Sequence, residues 1–280
     1  MSRGGSCLVR PRALRASPGL LIVNADDWGR DRLTTDRTLD CVGRGAVSSV
    51  SAMVFMDDSG RAAAIARALR MEVGLHLNLT TSFSAPECPG RLAQRQQQLA
   101  RYLQSHRLSQ MVFHPGLKRA FTYVVAAQLD EFRRLYGMEP DRIDGHHHMH
   151  LCANVLLARL LPRGTMVRRS FSFQVGEKSL GNVCYRRLVD RVLARRHRVV
   201  DFFFALAPLA PSSRLQRIFD LARRFVVEVE THPADPEEYR FLIGGEMLSQ
   251  IGDVAIMPPS MVSRPCRLEG GERPCAPIRV

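Results

Sequence analysis

The segment Asp144-Gly145-His146-His147-His148-Met149-His150 places four histidines within five positions, well inside a chain of 280 residues. Neutral imidazole is the commonest metal ligand, and burying several imidazoles without partners is costly, so this cluster points to a bound metal. Spacing alone does not choose the ligand: on a strand His146, His148 and His150 share a face, and on a helix His146 and His150 do. A second cluster, Asn24-Ala25-Asp26-Asp27-Trp28-Gly29, closes the apolar run Leu20–Val23. Adjacent carboxylates at a strand end point to different sides, so one can hold a metal while its neighbour addresses substrate or water. Gly74-Leu75-His76-Leu77-Asn78 sets one histidine inside an apolar strand, where a hydrogen-bonded core role competes with a ligand role. Glu230-Thr231-His232-Pro233 ends a further apolar run; the proline stops the strand and holds His232 at the rim, where a proton donor is useful. His114-Pro115 follows no long apolar run and is set aside.

The elements that must position these groups are short β-type runs separated by amphipathic stretches. Strands are expected over Leu20–Ala25, Val47–Phe55, Val73–Leu79, Arg142–Gly145, Thr165–Phe173, Val199–Leu206, Phe225–Glu230 and Val254–Met257. Ser59–Arg70, Thr122–Tyr136, Val155–Leu161, Leu188–Arg196 and Leu215–Arg224 carry apolar residues at three and four spacings and predict outer helices. This alternation is the signature of parallel strands joined by crossover helices. In a parallel β/α barrel the C-terminal strand ends share one face, so clusters far apart in sequence converge there. No repeat or linker divides the middle of the chain, which predicts one barrel domain over 19–257, with irregular Arg-rich or Pro/Gly-rich arms at 1–18 and 258–280.

Composition narrows the function. At 45% hydrophobic and 24% charged residues the chain reads as globular, and no apolar run approaches the ~20 residues a membrane helix needs. Seven scattered cysteines without a C-x-x-C pair predict reduced thiols in the cytoplasm. The net charge of +13 comes from 40 basic residues, all arginine except Lys118 and Lys178, and spread along the chain without a nucleic-acid motif. No nucleic-acid partner is expected.

Taken in order, Leu-Ile-Val-Asn-Ala-Asp-Asp-Trp-Gly, Gly-Leu-His, Asp-Gly-His-His-His-Met-His and the late His-Pro resemble the YdjC-like carbohydrate deacetylases of the ChbG and HpnK type, over about residues 20–257. The resemblance implies an α/β fold, a distorted TIM-like (β/α) barrel, and a metal-dependent enzyme that hydrolyses the N-acetyl group of an amino sugar, glycan or glycosylated metabolite. It implies Asp27, His76 and His146 as ligands of one divalent ion, magnesium by resemblance, although two imidazoles suit zinc or another transition metal better. It further implies Asp26 as catalytic base and His232 as proton donor. Trp28 stands where the family usually has Phe, the late His-Pro lacks the customary Gly after it, and the Arg-rich ends have no counterpart. Trp28, the only tryptophan, is expected to stack on an apolar sugar face. A phosphoesterase using the same Asp/His site and a non-catalytic carbohydrate-binding relative are the competing readings. Homo-oligomer formation, and contact of His148 or His150 with the metal, are left open.

Overall fold

Runs of Leu, Ile and Val flanked by polar residues become strands when both faces can be covered. The computed structural model describes residues 19–106, 108–173 and 179–262, and the N-terminal arm and most of the expected tail lie outside them. Among the described residues seven strands are formed: β1 (Leu20–Trp28), β2 (Ser49–Ala52), β3 (Val73–Leu77), β4 (Arg142–Gly145), β5 (Met166–Val167), β6 (Phe202–Ala205) and β7 (Val226–Thr231). They pair in the order β5-β4-β3-β2-β1-β7-β6, every pair parallel. Between the edge strands β5 and β6 the ladder thins to separate backbone bonds. Val167 N donates to Arg198 O (2.8 Å), Arg198 N to Thr165 O (3.1 Å) and Ser172 N to Phe203 O (2.8 Å). The sheet therefore curls into a distorted TIM-like barrel in one domain.

Outer helices cover it: α1 (Arg32–Gly43), α2 (Ser59–Ala68), α3 (Gly90–Ser105), α4 (Lys118–Tyr136), α5 (Ala153–Leu157), α6 (Leu180–Ala194), α7 (Ser212–Ala222), α8 (Pro236–Ile243) and α9 (Glu246–Ile251). Asp31 caps α1 by accepting from Thr34 N (2.8 Å), and Asp235 caps α8, where Pro236 occupies the first turn. Two expected strands shrink. Val254–Met257 contributes a single bridge, Leu21 to Ile256, and Thr165–Phe173 keeps only Met166–Val167 in the sheet. Past Val167 the chain is drawn out of the ladder, Ser170 N donating to Asp190 on α6 (2.9 Å).

Strand alternation sorts the side chains into two cores. Leu21, Val23, Ala25, Leu75, Leu77, Ile143, Val167, Val227 and Val229 face the helices. Inside the barrel, Ile22, Met166, Val200 and Phe203 form a small apolar plug. Beyond that plug, toward the C-terminal strand ends, the interior is filled by Asn24, Ser51, Arg142, Asp144, Arg168, Glu228 and Glu230, all buried. Barrel interiors are ordinarily packed with branched apolar residues, so a charged filling at this level marks a functional end. Gly74 makes room for it: a Cβ there would meet the Arg142 carbonyl oxygen at 2.9 Å.

Candidate active site

The site begins with an irregularity in β1. Pairing with β2 slips between Ala25 and Trp28, and Asp27 sits in the left-handed region at φ 63°, which Asp tolerates better than most residues. The slip inverts the alternation. Asp26 and Asp27, which a regular strand would send to opposite faces, both reach His76: Asp26 Oδ2 lies 3.9 Å from His76 Nδ1 and Asp27 Oδ1 lies 3.2 Å from His76 Nε2. Trp28 is thereby turned to the helix side, fully buried in the outer core with Tyr136 of α4 beside it. The expectation that Trp28 stacks on a sugar is corrected: its ring has no exposed face and packs the core.

Asp27, His76 and His146 are brought together, their ligand atoms all within 4.8 Å of one another. His146 Nδ1 is 2.9 Å from Asp27 Oδ1, and the His76 and His146 rings meet edge to face at 5.6 Å. His76 Nδ1 lies 2.7 Å from Asp144 Oδ1, and since a carboxylate only accepts, the ring donates there and turns Nε2 toward Asp27. That Nε2 is buried without a well-formed hydrogen bond. Two converging imidazoles, one carboxylate, an orphaned ring nitrogen and a carboxylate behind the histidine fit a divalent cation with open positions.

Charge points the same way. Four buried carboxylates, Asp26, Asp144, Glu228 and Glu230, surround two buried guanidiniums, Arg142 and Arg168, while Asp27 faces His76 and His146. Arg168 grips both Asp26 oxygens (NH1 to Oδ2 2.6 Å, NH2 to Oδ1 2.7 Å) and also bonds Glu228 (2.7 Å) and Glu230 (3.0 Å). Arg142 bonds Glu228 (2.8 Å) and Asn24, whose amide donates to Asp26 Oδ1 (2.7 Å). Burial works to raise the Asp26 carboxyl, but Arg168 and His76 outweigh it and hold it below the usual carboxylate range. Asp27 is likewise held well down against burial by the His146 imidazole bonded to it and by the His76 imidazole beside it. Burial would lower the His76 imidazole, but Asp26, Asp144 and Asp27 push it up to about 10. Glu230 goes the other way: burial, reinforced by Asp26, Glu228 and Asp144, exceeds the pull of Arg168 and drives its carboxyl well above the usual range.

His232 stands at the mouth, 42% exposed, with Nε2 3.9 Å from Asp26 Oδ2. Its backbone N–H donates to Glu238 of α8 (2.8 Å), which also accepts from Thr231, so the strand end and the helix start are tied together. The histidine run is neither strand nor regular helix. His147 and His148 both adopt positive φ (54° and 58°), and the resulting twist sends the four rings to different places. His146 joins Asp27, His147 turns toward Thr80 (3.0 Å), His148 approaches Glu230, and His150 buries Nε2 against the Arg168 carbonyl oxygen (2.9 Å). Burial lowers the His150 imidazole to about 4, so it is a neutral structural residue.

Arg168, Glu228 and Glu230 were not singled out as site residues in the sequence. The signal for the glutamates was present: the alternation Val-Glu-Val-Glu on a strand sets two carboxylates on one face. Arg168 gave none, being one arginine among dozens.

The model of the family described as YdjC-like protein matches residues 20–256. A chitooligosaccharide deacetylase of Salmonella schwarzengrund (strain CVM19633) is 27% identical over 203 residues, covering 64% of this chain and 77% of that one. One of the same description from Proteus mirabilis (strain HI4320) is 35% identical over 134 residues, 47% of this chain and 50% of the relative. Among solved structures, an Enterococcus faecalis V583 protein provisionally assigned to cellobiose-phosphate cleavage superposes with a TM-score of 0.64 at 22% identity, covering 86% of this chain and 97% of that chain. That likeness concerns the fold.

Proposed function

The chain belongs to the YdjC-like family, and we propose that it is a metal-dependent N-deacetylase that removes the acetyl group of an amino sugar, with residues 19–257 as its catalytic domain. The observation that carries this reading is the convergence of Asp27, His76 and His146 beside Asp26 and His232 at the C-terminal strand ends. The chitooligosaccharide deacetylases that it resembles support the substrate class.

Asp27, His76 and His146 would hold the cation. When bound, it supplies Lewis acidity, polarising the acetyl carbonyl and making water easier to deprotonate. Magnesium is the ion that family resemblance implies; zinc is the ion two imidazoles favour, and metal analysis of the purified protein decides between them. The Arg168 guanidinium holds the Asp26 carboxyl below the usual carboxylate range against burial, and it is oriented by three donors. It accepts the proton of the attacking water. His232, at the exposed rim, protonates the departing amine. Arg142 and Arg168 are buried and paired with carboxylates, which disfavours a phosphoesterase that would use them to bind phosphate.

The test is acetate release by the metal-loaded protein from N-acetylglucosamine oligomers of increasing length, with sugar phosphates assayed in parallel. Acetate accompanied by a free amine supports the reading. Phosphate release without acetate overturns it.

A further inference from the structure

We propose that His148 and Glu230, backed by Phe171, form the wall that recognises the sugar ring beside the reacting amide and so set which acetylated sugar is accepted. The inference rests on the deacetylase reading and adds to it the residues that choose the substrate.

Three observations lead there. Arg168 NH1 lies between Asp26 Oδ2 (2.6 Å) and Glu230 Oε2 (3.0 Å), so Glu230 is fixed next to the base, on the β7 side of β1, away from β3 and His76. Its other oxygen is 3.6 Å from His148 Nε2, too long for a hydrogen bond and a separation that one hydroxyl contacting both would bridge. His148 remains 31% exposed while its Nδ1 is buried without a partner. Phe171 meets the His148 ring edge to face at 4.6 Å and is stacked at 4.6 Å on the buried Phe203, a rigid apolar surface next to two polar groups. An aromatic face flanked by a carboxyl and an imidazole matches a sugar, which offers C–H faces and hydroxyl rims.

The backbone supports the assignment. Two successive non-glycine residues in the left-handed region are costly, and the protein holds His147 and His148 there. The twist delivers His146 to Asp27 and His148 to Glu230 within three residues. Burial pushes the Glu230 carboxyl up, and a hydroxyl, both donor and acceptor, suits it in either protonation state.

The test compares wild type with His148→Asn, which tolerates positive φ, and Glu230→Gln, using N,N′-diacetylchitobiose and the sugar-free amide 4-nitroacetanilide. Melting curves confirm folding. Each variant is expected to raise KM for the disaccharide about tenfold or more. The preference for disaccharide over nitroacetanilide should fall by the same factor. Unchanged KM, or equal losses on both substrates, overturns the proposal. Calorimetric titration of the disaccharide into each protein separates the two readings. A wild type that binds sugar but releases no acetate defeats the deacetylase reading, and weaker binding by the variants still supports the wall. A wild type that neither binds nor cleaves the disaccharide overturns both.

Discussion

Asp144 Oδ1 accepts from His76 Nδ1 at 2.7 Å with both side chains buried, so the orientation of one candidate metal ligand is set by a residue two positions before another, His146. The same carboxylate bonds Ser51 (2.6 Å) and pairs with Arg142 and Arg168, which makes it the joint between the metal group and the arginine network.

Asp144→Asn should therefore have two effects. Loss of the carboxylate behind a metal-binding histidine lowers metal affinity about 10- to 100-fold. Removing one partner of a buried ion pair costs about 3–5 kcal/mol of stability. Metal titration and thermal melting read the two separately; unaltered metal affinity would remove Asp144 from the metal site.

The adjacent aspartates should separate by function. Asp26→Asn is expected to keep the cation and lose about 10²- to 10⁴-fold in acetate release, the usual contribution of a positioned base. Asp27→Asn should lose the cation itself. Near wild-type turnover by the metal-loaded Asp26 variant would sink the base assignment.

Among the histidines, His146→Ala should abolish stoichiometric metal binding. His150→Ala should leave stoichiometry intact and lower the melting temperature, because the His150 ring is bonded to the Arg168 backbone and packed against Gly145. Elemental analysis of the two purified variants checks this, and metal loss in the His150 variant alone would reverse the assignment.

Glu230 gives a pH-dependent effect with a definite sign. Its folded-state carboxyl is raised above the unfolded value of about 4.5, so its contribution to stability is fully present below that value and is lost as pH rises through the folded one. Glu230→Gln removes the titration and leaves an oxygen to accept from Arg168. The variant should gain melting temperature relative to wild type as pH rises above the unfolded value of about 4.5. A difference in melting temperature that is flat or shrinks with rising pH would show that Glu230 is ionised in the fold.

Much of this architecture was legible before any coordinates. Leu20–Ala25 and Val73–Leu79 read as strands because apolar runs of that length, bounded by polar residues, bury well in a parallel sheet. The clusters at their ends were readable because a barrel gathers strand termini on one face. The partners of those clusters were not. Arg168 looks like any other arginine until β5 lies across the barrel from β1, and Asp144 looks like part of a histidine motif until β4 pairs with β3 and sets it opposite His76.

The sequence by itself determined the residue types, their order and their placement at strand ends, and hence a family whose chemistry needs carboxylate and imidazole together. Which way each side chain faces was decided by tertiary structure. Alternation predicts that Asp26 and Asp27 diverge, yet one left-handed residue and a slipped register turn both into the site and send Trp28 to the core. The same holds for the histidines: two positive φ values, which no periodicity reveals, decide that His146 meets Asp27 while His150 is locked into the wall. Backbone conformations of this kind are costly locally and persist because the surrounding bonds outweigh them, so they belong to the folded molecule rather than to any short stretch of its sequence.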